Sequence, residues 1–229
     1  MKYRLRRLIV ALLALIGLGV MISQAPDLWQ QQAAVQQPVV QQATGAAADV
    51  LATIEVKGRA AKTGYTRTQF GDGWATERGC DMRNIILHRD LTDVAVNEAC
   101  KVLSGNLNDP YTGKLLPFVR GADTSDDVQI DHVVALSNAW QTGAQQLTPE
   151  QRIALANDPL ELLAVEGKAN QDKSASDAAT WLPPNKAFRC QYVARQIAVK
   201  KKYSLWVTSA EKDAMSRVLA TCPGQKLPT

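Results

Sequence analysis

The chain has 229 residues, 46% of them hydrophobic and 21% charged, with 26 Lys and Arg against 22 Asp and Glu. That length suits one domain with room for a real core, and the composition excludes a coiled coil or a wholly disordered chain. The net charge of +4 discriminates little, because Lys2, Arg4, Arg6 and Arg7 alone supply four positive charges.

Those four residues precede an uncharged, almost wholly apolar run over residues 8–22. A basic flank before a short apolar stretch is the pattern of a secretory signal. The run is shorter than the about 20 apolar residues of a spanning helix. Ser23 and Ala25 offer small residues for cleavage, but Pro26 follows at once and hinders it. Residues 1–25 therefore read as a signal peptide or an N-terminal membrane anchor. In both cases the positive flank stays in the cytoplasm and the remainder crosses. The expected location is extracytoplasmic, secreted or anchored by this segment.

Residues 26–48 are rich in Gln and Ala, carry Pro26 and Pro38, and read as a flexible linker. A single folded domain is expected over 49–224, with LATIEVKG (51–58) as a candidate strand. MRNIILHRDL, from Met82, reads as a helix. On it, Arg83, Arg89 and Asp90 fit either a substrate-side arginine cluster or ordinary helical ion pairs. His88 fits a solvated face. NDPYTG at 108–113 is a turn by composition.

Cys80, Cys100, Cys190 and Cys222 allow three pairings. An even count in an exported domain favours disulfides, and the lack of any CxxC pair argues against structural zinc. Local pairing joins Cys80 to Cys100 and Cys190 to Cys222. The second pair has a geometric basis. Cys190, Val193, Ala194 and Ile197 fall at helical spacing, and Thr208 and Glu211 form a capping-box pattern before Ala214, Met215, Val218, Leu219 and Cys222. In an antiparallel helical hairpin the two cysteines lie side by side, and a bridge there contributes roughly 3 kcal/mol.

VQIDHVVAL (128–136) reads as a short strand holding Asp131 beside His132. Successive strand residues face opposite ways, so a bend at the strand end is needed to bring both to one site. A helical or loop insertion follows, with a helix start at Thr148, Pro149 and Glu150. LELLAVE (160–166) is a second strand. GKANQDKSASD then places Gly167 at a turn and Asn170 near the start of a helix. Strand, strand and helix thus aim a carboxylate, an imidazole and an amide at one spot. Hard oxygen donors of this kind suit Mg²⁺ or a similar cation. Beyond the unit, Trp181 with Pro183 and Pro184 reads as a core cover. Lys200, Lys201 and Lys202 either complement a helix dipole or track a phosphate backbone.

At these residues the sequence resembles the HNH, or ββα-metal, nuclease superfamily. More narrowly it is similar to exported HNH endonuclease-family proteins related to the C-terminal domain of GmrSD-type restriction enzymes. DMRNIILHRDL, SGNLNDPYTG, IDHVVALSNAW, LANDPLELLAV, ANQDKSASD, WLPPN and CQYVARQIAVKKKYSL carry the resemblance, over about residues 65–223. It implies an α+β fold with a ββα core embedded in helices, and hydrolysis of DNA or RNA phosphodiesters with a divalent cation, Mg²⁺ or alternatively Mn²⁺. By resemblance Asp131 and Asn170 are the metal ligands, His132 is the general base, and Lys173 lies near the phosphate; Arg83 and Arg89 remain the substrate-binding candidates of the helix. The motif's middle Asn has no exact counterpart. Glu161, nine residues before Asn170, or Asn157 takes its place, and either is expected to orient His132. A non-catalytic envelope protein that binds a polyanion on the same scaffold is the alternative.

Charge distribution adds one expectation. From Asp49 to Gly167 there are 11 basic and 17 acidic residues, and from Lys168 onward 11 basic and 4 acidic. The basic C-terminal third is where a phosphate backbone is expected to lie.

Overall fold

The computed structural model describes residues 46–228. The segment expected to direct export, and the linker up to residue 45, lie outside the described residues. Helix α1 (Ala46–Thr53) comes first, with Ala47 and Leu51 buried. It takes in the last three positions assigned to the linker and the start of LATIEVKG. The apolar spacing of four between Ala47 and Leu51 favours a helix there over the expected strand. Of that segment only Val56 pairs, in an isolated parallel bridge to Val207. Residues 57–75 then run as an irregular strap with one 3₁₀ turn, Arg67–Phe70.

Strands β1 (Thr76–Glu77) and β2 (Cys80–Asp81) form a two-residue hairpin that leads into α2 (Met82–Asp90). Asp81 caps this helix by accepting the Asn84 N–H at 2.8 Å, an interaction worth about 1 kcal/mol. An antiparallel sheet of β3 (Leu91–Val96), β4 (Val102–Asn108) and β5 (Leu115–Val119) follows. The polar turn at 108–113 joins its last two strands.

The central unit is β6 (Val128–His132), then α3 (Leu136–Gln141) and α4 (Pro149–Ala156), then β7 (Leu162–Glu166) and α5 (Gly167–Lys173). Strands β6 and β7 pair antiparallel, with Asp131 opposite Leu163 and His132 opposite Leu162. Helix α4 starts with a capping box between Thr148 and Gln151. Helices α6 (Arg189–Lys202) and α7 (Ser209–Leu219) close the chain, α7 with its own Thr208–Glu211 capping box. Disulfides join Cys80 to Cys100 and Cys190 to Cys222. The fold is α+β, a ββα unit set among helices in one domain.

The β6–β7 hairpin lies between two apolar clusters. Val128, Ile130, Leu162 and Ala164 pack with α2 and the three-stranded sheet. Leu163 and Val165, on the opposite face, pack with the helical cluster that includes α6 and α7. Burial of both faces explains why residues 162–165 are continuously apolar instead of alternating. Arg89 and Asp90 lock α2 to this hairpin. The guanidinium donates to the carbonyls of Pro159 and Leu162, both at 2.7 Å, and the Asp90 carboxylate accepts the Ala164 N–H.

Gly167 sits where β7 turns into α5. Its N–H donates to Asp127 O at 2.8 Å, and a Cβ at this position would lie 2.0 Å from Asp126 O. Backbone cannot yield as a flexible side chain would, so Gly167→Ala forces the strand and helix apart. A loss of about 1–3 kcal/mol is expected. It would read in urea unfolding as a lower midpoint at an unchanged slope.

Candidate active site

His132 ends β6, and the chain bends at Val133 and Val134 before α3 begins. The bend lets Asp131 and His132, successive strand residues, line one cleft of about 470 Å³. Asn170 reaches the same cleft from α5, as do Gln129 from β6 and Arg83 from α2. The strap contributes Tyr65, Arg67 and Trp74.

The imidazole is held on two sides. Its Nε2 lies 2.9 Å from Ala156 O at the end of α4, and its ring stacks on Trp74 with centroids 5.7 Å apart and planes 8° off parallel. A carbonyl only accepts, so Nε2 carries the proton and Nδ1 keeps the lone pair. Burial, followed by the nearby Arg67 charge, lowers the His132 pKa to about 3. The ring is therefore a neutral base across the physiological range.

Asp131 is buried and anchored from below. One carboxylate oxygen accepts from the Lys173 ammonium at 2.9 Å, and the other accepts from the Tyr111 hydroxyl. Burial raises the Asp131 pKa, while Lys173 and Tyr111 pull the other way by favouring the charged form. Tyr111 is set by the 108–113 turn. Asp109 accepts the N–H groups of Tyr111, Thr112 and Glu166 and so ties that turn to β7. Trp181 and Tyr192 pack edge-on against the Tyr111 ring, consistent with Trp181 as a core cover.

Lys173 does not lie at the cleft surface where a phosphate would meet it. Its side chain is fully buried, and its ammonium also donates to His132 O at 2.8 Å. The physical reason is the buried Asp131 charge, which requires a compensating cation beneath the strand. Arg89 is likewise away from the cleft, in the clamp between α2 and β7. Arg83 does line the cleft, where its guanidinium donates to Ser125 O and Val128 O at 3.1 and 3.2 Å.

Neither candidate for the middle role bonds the imidazole. Glu161, one residue before β7, uses both carboxylate oxygens to accept the Val134 N–H, each at 3.2 Å, and its own carbonyl accepts the Val133 N–H. It therefore holds the bend after His132 and not the ring. Burial pushes its pKa well above the ordinary carboxylate value. Asn157 accepts the Ala75 N–H at 2.8 Å, which fixes the residue next to Trp74. Both act on the backbone around His132.

The C-terminal third lends Asn170, Gln171, Ser174 and Ala175 to the cleft wall, but none of its basic residues. Lys200 is buried against Glu211, Lys202 pairs with Asp158, and Lys201 donates to Thr53. Among the described residues, the cations that line the cleft are Arg67 and Arg83. Sequence reasoning missed Trp74 and Arg67, which sit in a strap without periodicity. It also missed the Tyr111 contact, although the turn carrying Tyr111 is legible.

A divalent cation fits what is present. Asn170 Nδ2 donates to Gln129 Oε1 at 2.9 Å, which leaves the amide oxygen uncommitted. With the Asp131 carboxylate it makes two hard oxygen donors lining the cleft, and Mg²⁺ usually keeps several waters beside such a pair. No cluster of three or more His, Cys, Asp or Glu suited to a metal occurs among the described residues.

Residues 81–218 match the family described as GmrSD restriction endonucleases, C-terminal domain. A protein of Arthroderma benhamiae, named "Uncharacterized secreted protein", is 39% identical over 179 residues, covering 77% of this chain and 84% of its own length. No solved structure matches.

Proposed function

The chain belongs to the family of the C-terminal domain of GmrSD restriction endonucleases, and from that premise we propose that it is an exported, metal-dependent endonuclease acting on DNA or RNA. The observation that carries the reading is the 2.9 Å contact of His132 Nε2 with Ala156 O, which leaves the lone pair to Nδ1, in the same cleft as Asp131 and Asn170.

Phosphodiester hydrolysis needs a base for the attacking water, relief of charge on the phosphate and stabilisation of the leaving alkoxide. His132 Nδ1 takes the proton from water, for which a neutral, positioned imidazole is suited. Trp74, Glu161 and Asn157 are positioning residues that hold the ring and the bend after it. Arg83 supplies a fixed positive charge in the cleft. Asp131 and Asn170 would hold the divalent cation, and that cation, when bound, supplies Lewis-acid assistance to the phosphate and leaving oxygens. Lys173 and Tyr111 keep Asp131 ionised and oriented for this role.

Export rests on the N-terminal basic and apolar pattern, on the two disulfides, and on the name of the Arthroderma benhamiae relative. Among the described residues no helix is long and apolar enough to cross a membrane, so anchoring would fall to residues 1–25.

Supercoiled plasmid incubated with the purified protein tests the reading. Relaxation in Mg²⁺ or Mn²⁺, abolished by EDTA and restored by readded metal, is the expected result. Binding of plasmid without relaxation in either metal would instead favour a non-catalytic polyanion-binding role.

A further inference from the structure

The cation that the family resemblance leads one to expect near the phosphate, Lys173, is buried under Asp131, so another group must meet the substrate at the open side of the cleft. We infer that Arg67, on the strap ahead of the family-matched residues, is a substrate-binding residue that holds a backbone phosphate of the nucleic acid. This inference rests on the nuclease reading and identifies a contact within that same site.

Arg67 lines both the main cleft and an adjoining hollow of about 280 Å³, the two sharing Trp74, His132 and Leu136. It is exposed, and among the described residues its guanidinium has no hydrogen bond or carboxylate partner. A guanidinium offers five donors in a planar fork matched to phosphate oxygens. Arg83, its counterpart in the cleft, already gives part of its donor set to two carbonyls.

The strap around Arg67 is fixed, which distinguishes this arginine from a casual surface cation. Phe70 is buried, and Arg152 donates to Gln69 O at 2.9 Å and to Gln69 Oε1 at 3.1 Å. Tyr65 packs on Phe70 and Trp140. At the far end Trp74 stacks on His132, and Ala75 donates to Asn157. The strap is therefore held on both sides of Arg67, directly against the proposed base, while the side chain itself remains free. Arg67 adds positive charge to the main cleft, where Asp131, the one carboxylate among that cleft's described lining residues, is already paired, while Asp72 lines the adjoining hollow.

Binding of a fluorescein-labelled 20-base-pair DNA duplex, followed by anisotropy in EDTA at several salt concentrations, tests the inference without requiring turnover. Arg67→Ala is expected to weaken binding about 5- to 10-fold and to lower the slope of log K against log salt by about 0.9, one phosphate contact. Arg67→Lys should recover part of the affinity and the whole slope. Unchanged affinity and slope in Arg67→Ala, with cleavage by the wild type intact, would overturn this inference alone. Arg67-dependent binding without cleavage of DNA or of an RNA of the same sequence by the wild type in Mg²⁺ or Mn²⁺ would overturn the endonuclease reading and leave the contact standing. A wild type that binds neither the DNA duplex nor that RNA overturns both.

Discussion

His132→Ala is expected to lower the cleavage rate by about 10²- to 10⁴-fold, the usual contribution of a positioned general base. The loss should appear in kcat, with duplex binding in EDTA largely retained, because the strap carrying Arg67 stays docked through Phe70 and Gln69 when the stacking on Trp74 is lost. Asp131→Ala should differ by losing metal-dependent behaviour as well. The pH profile offers a second check. With its pKa lowered to about 3 by burial, His132 stays neutral well below the ordinary histidine value. Protonation of the base should then produce no acid limb near pH 6.5. The linkage to stability has a definite sign: above about 6.5 the folded and unfolded chains both carry a neutral ring, so its contribution is fully present. Between about 6.5 and 3 the unfolded chain binds a proton that the folded chain refuses. Stability should fall there by up to about 1.4 kcal/mol per pH unit, and His132→Ala should flatten that fall in urea titrations. Equal cleavage by wild type and His132→Ala would sink the assignment.

Lys173→Met should destabilise the fold by about 3–5 kcal/mol, the usual result of stranding one member of a buried ion pair. Most domains have only about 5–15 kcal/mol of stability, so the variant should melt many degrees earlier or fail to accumulate. The compensating variant separates charge from packing. Asp131→Asn with Lys173→Met removes both charges, retains an acceptor for the Tyr111 hydroxyl, and should recover most of the lost stability. A Lys173→Met protein of wild-type stability but weakened duplex affinity would instead place Lys173 on the substrate.

The fates of Lys173 and Arg67 show where sequence is legible and where it stops. The ββα order could be read because each part has a local cause. Residues 162–165 are apolar without a break because both faces are buried, and Gly167 stands where no Cβ fits. The helical hairpin could be read from its spacing and from Thr208 and Glu211, which form the capping box. Asp131, His132 and Asn170 come to one cleft because the strand bends after His132. The depth of Lys173 could not be read, since α5 is seven residues long and its pattern does not say which charge a buried acid recruits. Arg67 and Trp74 lie on irregular chain whose position is set by docking against α4 and not by period. Counting charge by sequence segment failed for the same reason. Lys200 and Lys173 count toward a basic third, yet both are buried in ion pairs.

The hairpin between the two apolar clusters also bears on the order of assembly. β6 and β7 are adjacent in space but separated in the chain by α3 and α4, so pairing them means closing a long loop before any ladder bond forms. Closure of that kind is entropically costly and slow compared with forming the local helices. Each face of the hairpin, moreover, needs its own cluster in place. Asp131, His132, Asn170 and Lys173 are therefore expected to come together in the last stages of folding. A chain still emerging from the ribosome or threading through a membrane, before α6 and α7 have docked, would hold these residues apart.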